Sequence, residues 1–138
     1  MGATQPLPPT KTALTLWSRL LLVFLVLNGL GGVAGGIALM KNVMPFPEVW
    51  LQGTPFRSYF SPGLILFLVV GCVHLVAAFL LLWRASFARI ASLVAGLILL
   101  GWMAGELSMI GFEAPIQIWF VSLGLLEIGL SFTKHRTR

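Results

Sequence analysis

The stretch PGLILFLVVGCVHLVAAFLLLWR, from Pro62 to Arg84, is an apolar run with one ionisable residue, His74, near its middle. A helix rises ~1.5 Å per residue, so a run of this length can cross a hydrocarbon layer ~30 Å thick. By the same rise, His74 lies ~18 Å below Pro62, close to the centre of that layer. An imidazole at this depth needs a partner or a wet cavity, so His74 is either an interhelical hydrogen-bonding residue or a functional one.

The composition of the whole chain agrees with a membrane protein. Of its 138 residues, 58% are hydrophobic and only 9% are charged, which excludes an ordinary soluble domain. We therefore predict an all-α fold, an integral membrane bundle of four transmembrane helices, within residues 13–134. A disordered cytoplasmic tail is expected before it, at 1–12, and a basic cytoplasmic tail after it, at 135–138. The four predicted spans are about 16–40, 62–83, 87–110 and 115–133.

The net charge of +5 raises the question of nucleic-acid binding, but the basic residues are placed as membrane topology requires. Most of them flank the predicted spans on one side of the membrane: Lys11, Arg19, Arg84, Arg89, Lys134, Arg136 and Arg138. Because positive residues collect on the cytoplasmic side, this pattern predicts that both termini are cytoplasmic and that the partner is the lipid bilayer, not nucleic acid.

The residues that usually carry redox or metal chemistry are scarce. Cys72 is the lone cysteine, so there is no disulfide framework and no CxxC pair. Of the two histidines, His135 is in the tail, which leaves His74 without a second axial ligand for haem and without a zinc set. We predict no cofactor and no metal.

Three polar residues are predicted to share one depth. Glu127 lies twelve residues after Pro115, as His74 lies twelve after Pro62, and both helices should start at the outer surface. Asn28 is central in the first span. The spacing predicts one buried polar layer of Asn28, His74 and Glu127, with the imidazole and the carboxyl in direct or water-mediated contact.

Small residues suggest where helices approach closely. Asn28, Gly32, Gly35 and Gly36 predict a flat packing face on the first helix, and Gly101 and Gly105 predict another on the third.

The connection at 41–61 differs in kind from the spans, because it mixes three prolines with aromatic and charged residues. This favours a structured outer loop lying over the mouth of the bundle, and a lid above a pocket is the sharper alternative. Candidate residues at this outer mouth are Trp50, Arg57, Glu106 and Gln117. Glu106 is expected to face the loop and meet Arg57.

Two segments suggest a family. RLLLVFLVLNGLGG, at 19–32, and GCVHLVAAFLLLWRASFARIASLVAGLILL, at 71–100, resemble the DoxX-like group of small bacterial four-helix membrane proteins. The resemblance implies a four-helix, multi-pass protein of the bacterial inner membrane, and some members of the group accompany quinone-linked oxidoreductases.

Three functions remain open from the residues. The first is a non-enzymatic bundle that binds a lipid or a membrane partner subunit and uses the polar layer for helix specificity. The second is a membrane site for an apolar small molecule, a lipid or a quinone, with His74 and Glu127 exchanging a proton. The third is proton-coupled transport by a homo-oligomer.

Overall fold

The computed structural model describes residues 14–43, 46–113 and 115–133, and over these ranges the chain is all-helical, with no strand. One turn of 3₁₀ helix, Glu48–Leu51, lies between the first two long helices. The predicted tails at 1–12 and 135–138 lie outside the described residues. The four helices are α1, Leu16–Met40; α2, Phe60–Leu82; α3, Ala88–Ile110; and α4, Ile116–Ser131.

Three of these helices, α1, α2 and α3, are long and apolar enough to cross a membrane, with 25, 23 and 23 residues. The fourth has only 16 residues, or ~24 Å, and is shorter than the predicted span at 115–133. It starts after Pro115, and its last turn tightens, because the N–H groups of Phe132 and Thr133 donate to the carbonyls of Gly129 and Leu130 three residues back.

Helix α2 begins two residues earlier than the sequence predicts. Tyr59 is its N-terminal cap, and the N–H of Gly63 donates to the carbonyl of Tyr59 at 3.0 Å. Pro62 therefore lies inside the first turn. It is tolerated there because the first N–H groups of a helix have no intrahelical acceptor.

The middle of α2 departs from α-helical geometry. Residues Leu66–Cys72 form a π-helical segment, after which the α-helix resumes at Val73. A π turn adds a residue to the turn, and each residue corresponds to ~100° of rotation about an α-helix. The segment therefore decides which way the side chains that follow it, including His74, face.

Neighbouring helices pack in a ring, with α1 against α2, α2 against α3, α3 against α4, and α4 against α1. The connection from α2 to α3 is short, and Arg84 takes a left-handed backbone conformation in it, with φ of 53°. Two apolar clusters fill the bundle at different levels. One is centred on Leu21, Leu25, Ala77, Ala95 and Leu130, and the other on Val70, Leu99 and Met103.

Glycine brings α1 and α2 into backbone contact. A Cβ placed on Gly32 would lie 2.6 Å from the Gly71 nitrogen, and one on Gly36 would lie 2.6 Å from the Gly63 oxygen. The predicted close approach at Gly32 and Gly36 is therefore present. Gly35 contributes less, since its Cβ would meet only a Leu66 side chain at 3.3 Å.

The packing face predicted on α3 is wrong. Among the described residues, no atom outside the local helix lies within 4 Å of a Cβ built on Gly101 or Gly105. Helix α3 turns another glycine inward instead, because a Cβ on Gly96 would lie 2.9 Å from Ile128 and 3.2 Å from the Gly124 oxygen of α4. Glycine spacing alone did not show which face of α3 meets its neighbour.

Candidate functional site

Three polar side chains from three helices meet in the interior of the bundle. Asn28 Nδ2 of α1 donates to Glu127 Oε1 of α4 at 2.6 Å, and His74 Nε2 of α2 lies 3.1 Å from Glu127 Oε2. His74 and Glu127 are 0% exposed and Asn28 is 2% exposed. The structure thus brings together the three residues of the predicted polar layer, with Glu127 as the residue that the other two contact.

The contact of the other imidazole nitrogen of His74, Nδ1, shows that this nitrogen carries a hydrogen. His74 Nδ1 lies 2.6 Å from the carbonyl oxygen of Val70, in the π-helical segment. A carbonyl only accepts hydrogen bonds, so Nδ1 carries a hydrogen and donates it. The hydrogen bond between Nε2 and Glu127 then needs one further proton, on either the nitrogen or the carboxyl oxygen.

Two forms of the pair satisfy this geometry. In one, an imidazolium donates from Nε2 to the Glu127 carboxylate; in the other, a neutral carboxylic acid donates to the bare Nε2. Both contain the same number of protons, and both leave the His74–Glu127 pair without net charge. Because an isolated buried charge is costly, this neutrality explains how a histidine and a glutamate can be enclosed together.

The position of the pair links helices that are not neighbours. Helices α2 and α4 lie across the bundle from each other, and His74 and Glu127 join them through its centre. The layer lies between the two apolar clusters, since Leu25 and Ala77 are on one side of it and Val70 is on the other. The arrangement can hold helix register and can hold one proton away from water.

A second polar group connects α3 to α4 at the opposite end from Arg84. Gln117 is buried, and its Nε2 donates to Glu106 Oε1 at 2.9 Å and to the Gly111 carbonyl at 3.3 Å. Its Oε1 accepts from the Glu113 N–H at 3.0 Å. Gln117 therefore ties the turn between the two helices to both of them.

The expected contact between Glu106 and Arg57 is not formed in the part of the chain that the structure describes. Glu106 receives its hydrogen bond from Gln117, whereas Arg57 is exposed on the loop between α1 and α2. Gln117 reaches the carboxylate because the adjoining helix α4 packs directly on α3, and Arg57 belongs to a different connection.

The loop between α1 and α2 is ordered by contacts within itself over its described residues. The ring of Phe46 lies 6.1 Å from that of Trp50 and 5.6 Å from that of Tyr59, and Tyr59 donates its hydroxyl to the Pro47 carbonyl at 2.5 Å. Burial, and secondly the charge of Glu48, raises the pKa of Tyr59 above its usual value near 10. A lid function for this loop stays a prediction.

Some contacts of the candidate site and of its surroundings could not be predicted from the sequence. The Val70 carbonyl is a backbone group, and only its position four residues before a histidine could have suggested it. Arg89 Nε donates to the Ser131 carbonyl at 2.8 Å, which ties α3 to the end of α4. Among the described residues, no three side chains of His, Cys, Asp or Glu come together as a metal-binding group.

Comparisons of this chain with family models, with curated proteins and with solved structures give no match. The resemblance to the DoxX-like group therefore stays a prediction.

Proposed function

We propose that the chain is a multi-pass membrane protein in which all four helices cross the membrane and both termini are cytoplasmic. Arg19, Arg84 and Arg89 are exposed together at the end of the bundle where α1 begins and α2 meets α3. Basic residues favour the cytoplasmic side, and the charges at the other end include both signs. Reporter fusions in the 41–61 connection and after Arg138 test this: an extracytoplasmic carboxyl terminus would contradict it.

The proposed role is that of a non-enzymatic module that binds a lipid or a membrane partner subunit on its apolar outer surface. The observation that supports it is the enclosure of the polar layer. Each of Asn28, His74 and Glu127 is bonded to another member of the layer, and none is more than 2% exposed. A layer whose hydrogen bonds are used internally suits helix specificity better than contact with a substrate.

Glu127→Gln separates a structural layer from one that must exchange a proton. A glutamine can accept from Asn28 through its oxygen and donate from its nitrogen to the bare Nε2 of His74, while Nδ1 keeps its bond to Val70. It retains the hydrogen bonds without an exchangeable carboxyl proton. We expect the unfolding free energy of this variant to lie within about 1 kcal/mol of the wild-type value. We also expect it to retain whatever lipid or protein copurifies with the wild type.

Glu127→Leu is the matched control, since it keeps side-chain bulk and removes both acceptor oxygens. It leaves polar atoms of two buried residues, Asn28 and His74, unpaired, and we expect a loss of about 1–4 kcal/mol in unfolding free energy. Both variants are purified in mild detergent, melted under the same conditions and analysed by mass spectrometry for bound molecules. If Glu127→Gln folds stably but loses its bound molecule, the structural role is refuted.

The proton required between His74 and Glu127 favours a second candidate function, the membrane site for an apolar ligand such as a lipid or quinone. In that case, His74 and Glu127 would exchange the shared proton with the ligand. Glu127→Gln would then abolish ligand-dependent activity in a folded protein, as would His74→Ala. Glu127→Gln and His74→Ala thus discriminate between the two functions.

A further inference from the structure

An apolar groove opens on the exterior of the bundle, between α2 and α3. Its volume is about 300 Å³, and its lining has no charged side chain and no hydroxyl or amide group in the side chains. The residues that line it are Cys72, Val73, Val76 and Ala77 of α2 and Ala91 and Val94 of α3. A groove of this composition suits a hydrocarbon occupant, because it offers nothing stronger than a thiol to a polar group.

The groove lies in the half of the bundle nearest the α2–α3 connection. Ala77 is ~7 Å and Cys72 ~15 Å along the helix from the end of α2 at Leu82, and Ala91 is ~5 Å from the start of α3. One leaflet of the hydrocarbon layer is ~15 Å deep. The groove therefore spans the depth at which the acyl chain of a lipid in that leaflet would run.

Positive charge lies at the end of the bundle nearest this groove. Arg84 and Arg89 are both exposed at the α2–α3 connection. Arg89 uses Nε on the Ser131 carbonyl and lies 5.8 Å from the centre of the Phe132 ring, but a guanidinium has five N–H donors. Trp83 and Phe87, also exposed, add aromatic rings at the same level, as is typical of the headgroup zone.

We propose that this groove and these two arginines form a binding site for an anionic phospholipid of the cytoplasmic leaflet, with one acyl chain in the groove and the phosphate at Arg84 and Arg89. The inference rests on the membrane orientation and lipid-binding role proposed above, and it names the class of lipid. The two parts of the site complement the two parts of such a lipid, since charge and apolar surface occur in sequence along the same helix pair.

Selectivity follows from the charges. A zwitterionic lipid can place the same chains in the groove, but its positive headgroup reduces the attraction to the arginines. Each arginine near an anionic headgroup contributes about a fivefold increase in affinity. We therefore expect an anionic lipid to bind more tightly than a zwitterionic one with identical chains.

The test measures binding of phosphatidylglycerol and of phosphatidylcholine, with matched acyl chains, to the full purified chain by native mass spectrometry. Arg84→Gln should reduce the preference for phosphatidylglycerol about fivefold, and the Arg84→Gln, Arg89→Gln double variant further. The single variant keeps the test valid if loss of the Arg89–Ser131 contact unfolds the double variant. Arg57→Gln, on the loop at the opposite end, is the charge-matched control and should leave the preference unchanged.

The groove has its own variant. Ala91→Leu fills it and should weaken binding of both lipids, whereas Ala104→Leu, at an exposed position farther along α3, should weaken neither. Melting curves of every variant verify the fold. An unchanged preference in folded Arg84→Gln, or unchanged binding in folded Ala91→Leu, would overturn the inference. Such a result leaves the proposed function intact as long as Glu127→Gln still retains its bound molecule, so the two failures are distinguishable.

Discussion

The close approach of α1 and α2 at Gly32 leads to a sharp prediction about bundle stability. In Gly32→Ala, the new Cβ would lie 2.6 Å from the nitrogen and 2.8 Å from the Cα of Gly71. Both of these are backbone atoms, which cannot rotate out of the way as the end of a side chain can. The two helices must therefore move apart where they cross.

The size of the effect follows from these distances. Ordinary van der Waals contact begins at 3.4 Å, so α1 and α2 must separate by roughly 0.8 Å at this level. Strain of this kind in a well-packed interior costs about 1–3 kcal/mol. Gly32 is also one helical turn from Asn28, so the displacement should lengthen the 2.6 Å hydrogen bond to Glu127 as well.

Gly31→Ala is the matched control. Gly31 is the neighbouring residue in the same helix and is exposed. In the part of the chain that the structure describes, a Cβ there would meet no atom beyond the local helix within 4 Å. Both variants gain the helix propensity of alanine and the same restriction of the unfolded chain, so their difference isolates the steric cost. We expect Gly32→Ala to be less stable than Gly31→Ala by about 1–3 kcal/mol.

The measurement is unfolding in mixed micelles, followed by circular dichroism, for wild type and both variants. A wild-type-like Gly32→Ala, with unfolding free energy equal to that of Gly31→Ala, would refute the backbone contact between α1 and α2. Equal destabilisation of the two variants would also refute it, because Gly31 has no neighbour with which to clash.

Two further predictions concern the end of the bundle opposite Arg84. Gln117→Ala should lower the unfolding free energy by about 1–3 kcal/mol, since it removes the hydrogen-bonding partner of Glu106, Gly111 and Glu113 together. Gln52→Ala, at an exposed position, is the control and should cost nothing measurable. An unchanged unfolding free energy in Gln117→Ala would contradict the network. Tyr59, the sole tyrosine, should give a phenolate absorbance midpoint above pH 10 that falls in Glu48→Gln. With the pKa of Tyr59 raised by folding, the unfolded chain loses the phenol proton at lower pH than the folded chain. The contribution of Tyr59 to stability is therefore complete below the unfolded pKa of about 10 and declines as pH rises through the folded pKa. An absorbance midpoint at or below pH 10 would contradict the raised pKa.

Depth in the bundle could be predicted from the sequence, because it depends on counting. Equal spacing from Pro62 and Pro115 predicts that His74 and Glu127 share a level, and the structure brings them within 3.1 Å. The shift of the start of α2 to Phe60 did not disturb this relation, since two added residues before Pro62 leave the spacing between Pro62 and His74 unchanged.

Rotation about the helix axis could not be predicted in the same way. The π-helical segment Leu66–Cys72 has no sequence pattern that separates it from an ordinary apolar run, yet it changes the direction of the residues after it. The same uncertainty explains the error on α3. Gly96, Gly101 and Gly105 are all glycines in an apolar helix, and only the position of α4 decides that Gly96 is the one in contact.

The sharing of Glu127 by Asn28 and His74 has a consequence for the order in which the chain is made. Asn28 lies in α1 and His74 in α2, whereas Glu127 lies in α4, the last of the four described helices. In the membrane orientation proposed above, Asn28 and His74 enter the bilayer before Glu127 has been synthesised, because synthesis delivers the amino-terminal helices first. Their polar groups then stay unpaired or hydrated until α4 arrives with Glu127. A chain truncated before Glu127 would therefore keep the polar groups of Asn28 and His74 without the partner that they share in the folded bundle.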